Sequence, residues 1–350
     1  MDASPLPPHP SFQDESVARA YSRCRELEKT LAMEARVLGY LLLLAPEEEG
    51  RRYLASEINP DPVDDSGNKT DDSVVRGDET LCLLAKLYIA AFIRCFRSAK
   101  GPTPDPSLHP SHISFEGNVV ELSYKLMEPP SSHQMAKHKA IRRDGGRCVA
   151  TGKYDLLTAQ SDASSLEFKI PPDAPCCMTE AALIFPSSIN RNIAGGNEGA
   201  AKNDWAASVW AVMEHFGNVR VLDELNGDNI HRLENVLTLS HDIHSAFDQL
   251  KFWFEATNAN ANEYRLRTLW SRLMVDKDTI VTLTTPDPQC LPLPSPKYLA
   301  LHAACCKVAH LSGAAEHIDR CFRDLDGMRV LAEDGSNVDV LMFVLEGITV

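Results

Sequence analysis

The segment NVLTLSHDIHSAFD, residues 235–248, decides the fold of this chain. Its apolar part, residues 236–239, predicts a short β-strand, and residues 242 to about 250 predict a helix. His244 and Asp248 are four residues apart, so a helix places both side chains on one face, one turn apart. An imidazole and a carboxylate in these positions can hold two corners of a divalent-metal site, or can simply bond to each other. The sequence therefore predicts a strand followed by a helix that carries this pair.

Further motifs lie upstream of this segment. RCVATG at residues 147–152 predicts a turn, and IHRLEN at residues 230–235 leads into the first segment. Together these stretches resemble the HNH-nuclease-like domain common in fungal proteins, in which an asparagine precedes the second strand and a histidine begins the following helix. The resemblance covers residues 138–260. It implies a ββα-metal finger in which Asn235 and His244 are site residues.

The general base of such nucleases is a histidine on the first strand, in an Ala-His-Ile-x-Pro setting. The matching string here is ALIFP at residues 182–186, which places Leu183 at the base position. Leucine cannot accept a proton, and loss of a positioned base lowers the rate ~10²- to 10⁴-fold. A substitute base is conceivable at His215, His231 or His241, but sequence cannot place any of these side chains opposite a metal ion.

The candidate site therefore consists of few residues. Asn235 is also suited to closing a turn through its side chain, whether or not the site is active. Aromatic residues that follow, Phe252 and Trp253, are predicted to pack in a core rather than to form a substrate platform. The candidate catalytic residues are Asn235, His244, His241 and Leu183, the last as a degenerate base position. The candidate metal ligands are His244 and Asp248, if the metal site is retained.

The charge of the chain disfavours tight, general binding to nucleic acid. The 49 acidic residues exceed the 35 basic ones, which gives a formal net charge of -14. The averaged electric field therefore repels a polyphosphate, although a local basic strip would escape this argument. The sequence predicts an apolar small molecule as a more suitable partner than nucleic acid and leaves the oligomeric state open.

The ten cysteines and the apolar segments predict the cellular setting. No CxxC pair is present, so a structural zinc site is not expected, and the cysteines suit a reducing compartment. The N-terminal residues do not resemble a secretory signal. The most apolar stretch, residues 81–96, contains Lys86 and Arg94 and is shorter than the ~20 residues of a membrane span. The sequence thus predicts an intracellular, soluble protein of the cytoplasm, with the nucleus not excluded.

The predicted fold class is α+β, with the HNH-like finger embedded in a mainly helical chain that also has a small antiparallel sheet. One long helix is predicted from residue 14 to about 45, and the pattern from 299 to 325 predicts a helix that breaks near Gly313. The predicted organisation is a disordered segment at 1–13, a helical region at 14–100, a linker at 101–137, the HNH-like domain at 138–260, and a strand and helix region at 261–350 that packs on it.

No motif points to a familiar cofactor. We find no glycine-rich phosphate loop ahead of a helix and no nucleophile elbow. The favoured hypothesis is a degenerate HNH-like scaffold that is not a competent nuclease and that catalyses a cofactor-independent cyclisation, isomerisation or cycloaddition, such as a Diels–Alder step, in fungal secondary-metabolite biosynthesis. The alternatives are an endonuclease that uses Mg²⁺ or another divalent cation with a substitute base, and a non-catalytic interaction protein.

Overall fold

The computed structural model describes residues 3–59, 77–97, 132–160, 169–187, 209–271, 273 and 279–327. The protein is of the α+β class, as predicted, with many helices and three small sheets among these residues. The chain divides into two compact units. The helical unit draws on residues 1–95, 188–222 and 303–350, and the finger unit draws on residues 96–187 and 223–302. The domain boundaries predicted from sequence stay a prediction.

The finger itself is a β-hairpin followed by a helix. Strand β3, Thr179–Leu183, pairs antiparallel with β4, Val236–Ser240, so that Leu183 lies opposite Val236 and Thr179 opposite Ser240. Every residue of β4 is buried, as expected for an apolar run in the middle of a core. The finger helix, His241–Asp248, begins directly after β4. The strand predicted at residues 236–239 and the helix predicted after it are therefore confirmed.

One face of the hairpin is covered by the helix His133–Arg143. Ala136 and Ala140 of this helix are fully buried and belong to an apolar cluster with Ala181 and Val236. Ser132 caps the helix, since its side chain accepts a hydrogen bond from the backbone N–H of Met135. Small alanine side chains let the helix approach the strands closely, and this packing fixes the hairpin in place.

A buried arginine supports the same packing. The guanidinium of Arg143 donates to the carbonyls of Leu233 and Val236, both at 2.8 Å, and pairs with Asp144 at 2.8 Å. A buried cation is tolerated only when its donors are satisfied in this way. Arg143 thus ties the end of its helix to the start of β4.

The remaining strands lie on either side of the finger in sequence. Strands β1, Tyr154–Asp155, and β2, Cys176–Cys177, form a short parallel pair, with the helix Leu156–Gln160 after β1. The last three strands, Phe252–Ala256 (β5), Glu263–Thr268 (β6) and Ile280–Thr282 (β7), form the small antiparallel sheet that was predicted, in the order β5-β6-β7. Phe252 and Trp253 of β5 are buried, which confirms that they pack in a core.

Two further predictions concern helices. The predicted helix from 14 to about 45 is wrong, because two helices, Glu15–Leu27 and Ala32–Leu44, are separated by a turn at residues 28–31. The turn begins where the N–H of Thr30 bonds to the Leu27 carbonyl instead of continuing the helical pattern. Residues 28–31 contain neither glycine nor proline, so the sequence gives no strong stop signal at this turn. The predicted break near Gly313 is confirmed: Gly313 has φ +87° and separates two helices, Pro296–Ser312 and Ala314–Gly327.

The disorder predicted for residues 1–13 is not seen at residues 3–13. Leu6 is buried with 3% of its surface exposed, and the N–H of Ser4 bonds to the carbonyl of Leu311 at 2.9 Å. Proline content suggested disorder, but one apolar side chain and several hydrogen bonds hold this segment.

Residues 101–131 of the predicted linker lie outside the described residues. The other helices are Glu48–Ile58, Asp78–Tyr88 with its continuation Ile89–Ile93 and Arg94–Phe96, residues 209–215, Val221–Glu224, Gly227–His231 and Leu233–Asn235. None of the described helices is both long and apolar enough to cross a lipid bilayer.

Candidate functional site

Glu180 of β3 lies at the centre of a polar cluster on the finger. Its side chain, 41% exposed, approaches the first turn of the finger helix. One carboxylate oxygen, Oε2, is 2.6 Å from Nδ1 of His244, and the other, Oε1, is 2.9 Å from Nδ1 of His241. A single carboxylate therefore holds two imidazole rings that are three residues apart on one helix.

The finger helix positions the histidines. Ser240 precedes the helix in an extended conformation, so His241 is the first helical residue and His244 follows one turn later on the same side. Nε2 of His244 is 3.5 Å from Oδ1 of Asp248, as the spacing of four residues predicts. We call Glu180, His241, His244 and Asp248 the Glu180 cluster.

The charges in this cluster shift the pKa values of its members. The hydrogen bond with His244, which outweighs partial burial, lowers the pKa of Glu180 to about 2. Burial works to lower the pKa of His244, but the hydrogen bond with Glu180 and the charge of Asp248 together raise it above its ordinary value. Burial raises the pKa of Asp248, against the opposing effect of His244. Glu180 is therefore a carboxylate at neutral pH, and His244 binds a proton more readily than an ordinary histidine.

The two histidines differ in exposure. The side chain of His244 is 22% exposed and both of its ring nitrogens face a carboxylate, whereas the side chain of His241 is 76% exposed. When His241 is neutral, a proton on Nδ1 serves the hydrogen bond to Glu180, and Nε2 is left as an acceptor on an exposed ring. A carboxylate that orients an imidazole in this way is the usual support of a general base. His241 is thus the ring best placed to exchange protons with another molecule.

Leu183 lies on a different side of the strand. Side chains alternate along a strand, so Leu183 and Glu180, three residues apart, project from opposite faces of β3. Leu183 packs against the apolar cluster that contains Ala140 and Leu233. The position predicted for a general base is therefore part of the hydrophobic packing and does not join the Glu180 cluster.

Asn235 is fully buried and acts within the turn before β4. Its Oδ1 accepts from the N–H of Phe185 at 2.8 Å, and its Nδ2 donates to the carbonyls of Phe185 at 3.0 Å and Ile230 at 2.9 Å. Both amide hydrogens are used in these bonds. The geometry agrees with the turn-closing role that the sequence predicts. The hydrogen bonds join Phe185, two residues after the end of β3, to the segment that leads into β4.

Of the three histidines considered as substitute bases, only His241 adjoins Glu180. His231 makes an edge contact with His133, their ring centroids 6.1 Å apart, and burial lowers the pKa of both rings. His215 belongs to the helical unit, where it stacks on Tyr53 with 4.5 Å between centroids. These two histidines have packing roles.

The residues fit a bound metal ion only in part. Two atoms that could bind an ion, Nε2 of His244 and Oδ1 of Asp248, are 3.5 Å apart. Glu180 is bonded to the other ring nitrogen, Nδ1 of His244, and would hold the ring in orientation, as hydrogen-bond partners of metal-binding histidines usually do. Over the part of the chain that the structure describes, however, no three histidine, cysteine or acidic side chains are arranged around one ion. Among the described side chains, His244 and Asp248 are therefore the pair that could supply ligands to an ion.

Glu180 was missed by the sequence prediction. Its partners His241 and His244 are 61 and 64 residues away, so local spacing could not show the contact. The available signal was an acidic residue directly before the apolar residues Ala-Ala-Leu of the strand TEAAL. An ionisable side chain on a half-buried strand needs a partner, and the polar finger helix is the next element along β4.

Comparison with known families agrees with this geometry. Residues 148–255, less than a third of the chain, match the family model described as HNH endonuclease. Comparisons with curated proteins and with solved structures found no match. Over residues 148–255, which include the whole Glu180 cluster, the chain is therefore similar to HNH endonucleases.

Proposed function

We propose that the Glu180 cluster is a general acid–base site that moves protons on a small organic substrate, in an isomerisation or a cyclisation. The observation that carries this proposal is the single carboxylate of Glu180, which holds the rings of His241 and His244 at 2.9 and 2.6 Å. His241 takes a proton through Nε2 and later returns it to a different atom of the substrate. The reaction is redox-neutral, so it needs no cofactor.

The environment of each ring supports this division of roles. Glu180 stays ionised down to about pH 2, and its charge stabilises the imidazolium that forms when His241 accepts a proton. His244, between Glu180 and Asp248, keeps the carboxylate in place and supplies positive charge beside it. Such a site suits proton transfer better than a cycloaddition, which depends on a shaped cavity rather than on a base.

The position of Leu183 supports a role other than standard nuclease chemistry. The side chain packs against an apolar cluster, and a leucine at this position offers no proton acceptor. The net charge of -14 adds a second argument, because a polyphosphate would approach against the averaged field. An uncharged or apolar substrate does not meet this barrier. Membership of a fungal biosynthetic pathway stays a prediction.

The proposal is tested by metabolite profiling in the source organism. Deletion of the gene is expected to change the amounts of one substrate and one product of equal mass, because an isomerisation or cyclisation conserves atoms. The wild-type gene should restore the profile, and Glu180→Gln should not. Asp242→Asn is the matched control, since Asp242 is an exposed carboxylate next to His241 that takes no part in the hydrogen bonds of the cluster. An unchanged profile after deletion, or full rescue by Glu180→Gln, would contradict the proposal.

A second candidate, a metal-dependent endonuclease, is favoured by the family match over residues 148–255. His244 and Asp248 would supply two ligands to Mg²⁺ or another divalent cation, which characteristically completes its coordination with water and substrate phosphate. His241 would replace the base missing at Leu183. When bound, the ion would supply charge stabilisation at the leaving oxygen.

Cleavage assays separate the two candidates. Purified chain is incubated with supercoiled plasmid or single-stranded DNA and with Mg²⁺ or Mn²⁺. An endonuclease would cut these substrates, and cutting would be lost in His244→Ala and retained in Asp242→Asn. We expect no cutting that depends on His244, in agreement with the small-molecule proposal.

A further inference from the structure

A short proline segment lies on two helices of the helical unit. This segment, residues 4–8, has the sequence Ser-Pro-Leu-Pro-Pro, and only Leu6 is buried in it, while the three prolines are exposed. Proline fixes its own φ and restricts the preceding residue to extended conformations, so the segment is stiff before it binds. It therefore lies on the surface like a bound peptide with one anchoring side chain.

The anchor fits a gap left by a glycine. Gly39 is in the middle of the helix Ala32–Leu44, and a Cβ atom added there would lie 2.6 Å from both methyl carbons of Leu6. Such a distance is too short for any real contact between carbon atoms. The absence of a side chain at Gly39 therefore creates the site that Leu6 occupies.

Two tyrosines hold the main chain of the proline segment. The hydroxyl of Tyr40 donates to the carbonyls of Ser4 and Pro5, both at 3.0 Å, and the hydroxyl of Tyr21 donates to the carbonyl of Pro7 at 2.9 Å. Burial raises the pKa of both phenols, that of Tyr21 to about 12, so they stay protonated donors at any physiological pH. The contacts depend on the backbone path of the segment rather than on its side chains.

Charged side chains complete the recognition. The carboxylate of Glu28 accepts from the N–H of Leu6 at 3.2 and 3.3 Å, and Arg36 holds that carboxylate at 2.6 Å. Arg25 donates to the carbonyl of Pro8 at 2.8 Å. The N–H of Leu6 is the donor that remains between prolines, and a carboxylate is placed to receive it.

We propose that this groove, formed by Tyr21, Arg25, Glu28, Gly39 and Tyr40, is a peptide-binding site for a Pro-Leu-Pro-Pro segment of a partner protein, and that residues 4–8 occupy it in cis. The groove recognises one leucine, the N–H of that leucine and four carbonyl groups, and another chain with the same motif offers all of them. The chain's own segment competes as a tethered ligand at high effective concentration. The site belongs to the helical unit and is independent of the Glu180 cluster.

The test uses the full chain and a fluorescently labelled peptide that copies residues 3–10. In Leu6→Asp the tethered segment loses its anchor, so we expect saturable peptide binding by fluorescence anisotropy. Wild-type chain should bind at least ~10-fold more weakly because its own segment competes. Adding Gly39→Leu to Leu6→Asp should abolish binding. Adding Tyr40→Phe instead should weaken it about three- to tenfold, since the single hydroxyl donor shared by two carbonyls is lost while the ring stays.

Matched controls exclude non-specific effects. Leu83→Asp changes an exposed leucine of the same unit and should not alter the low affinity of the wild-type chain. A peptide with Asp in place of its leucine should not bind. The proposal is overturned if folded Leu6→Asp shows no saturable binding, or if Gly39→Leu leaves binding unchanged. Should Leu6→Asp fail to fold, hydrogen exchange of the wild-type chain decides: excess peptide must speed exchange at the Leu6 amide, and no change overturns the proposal.

Discussion

Two positions on strand β3, three residues apart, have opposite environments. Leu183 projects into the apolar cluster beneath the helix His133–Arg143, whereas Glu180 projects toward the finger helix and bonds to two histidines. The sequence analysis predicted position 183 as the place of a degenerate general base. The ionisable side chains described above lie instead on the opposite face of the strand, around Glu180. The comparison teaches that the position indicated by a motif and the face that carries ionisable groups can differ on one short strand.

The largest expected effect is a loss of stability on replacing Asn235, which closes the turn before β4. Asn235→Ala leaves the N–H and C=O of Phe185 and the carbonyl of Ile230 without their buried partner, so unfolding should become easier by about 3 kcal/mol. Urea unfolding followed by circular dichroism measures this loss. Asn229→Ala, an exposed asparagine in the same turn region, should change stability by less than about 0.5 kcal/mol. Equal losses in the two variants would show that Asn235 does not hold the turn.

A charge at Leu183 should be the next most harmful change. Leu183→Asp places a carboxylate at a partly buried position against an apolar cluster, and we expect a loss of about 2–3 kcal/mol in the free energy of unfolding. Leu157→Asp provides the control, because that leucine is 54% exposed. If Leu183→Asp were as stable as the control, the face assigned to Leu183 would be wrong.

The polar face should respond weakly and with a pH dependence. We expect wild type to exceed Glu180→Gln in stability by no more than about 1 kcal/mol, because Glu180 is partly exposed. The lowered pKa of Glu180 makes its contribution present above its ordinary value of 4.5 and lost as the pH falls toward about 2. The raised pKa of His244 makes its contribution present below 6.5 and lost as the pH rises through the higher folded value. Thermal unfolding from pH 2 to pH 9 should therefore show the largest difference between about pH 4.5 and pH 6.5, and a constant difference would contradict the pairing.

The smallest expected effect is also the sharpest comparison with the HNH pattern. Leu183→His introduces the residue type that the sequence resemblance predicts for this position, but the new ring would enter the apolar cluster and not the Glu180 cluster. We therefore expect no gain in plasmid cleavage with Mg²⁺ or Mn²⁺. A gain approaching the ~10²-fold typical of a positioned base would show that Leu183 alone separates this protein from an active nuclease.

Local patterns predicted much of the finger. The apolar run of β4 and the four-residue spacing of His244 and Asp248 are properties of neighbouring residues, and both agree with the structure. The contact of Glu180 with His241 depends on the antiparallel register between β3 and β4, which pairs residues about 60 positions apart. Nothing in the local sequence determines that register, so the centre of the cluster could not be predicted.

Other differences have the same origin. The sequence assigned Leu183 to the site by its place in a motif, but the face of a strand that meets a particular helix depends on packing by distant residues such as Ala136 and Ala140. Likewise, the hydrogen bonds that hold residues 4–8 come from Tyr21 and Tyr40, which follow in separate helices. Amino-acid composition indicates only the local conformational preference of a segment. Contacts with residues that are distant in sequence can override that preference.

The bridging carboxylate of Glu180 has a consequence for how variants of the finger helix are compared. Because both rings are held by one anion, replacing either histidine also changes what holds the other, and the effects of the two substitutions should not add. The effect of a single histidine variant will then belong to the trio. Assigning an effect to one ring requires the double variant beside the two single ones.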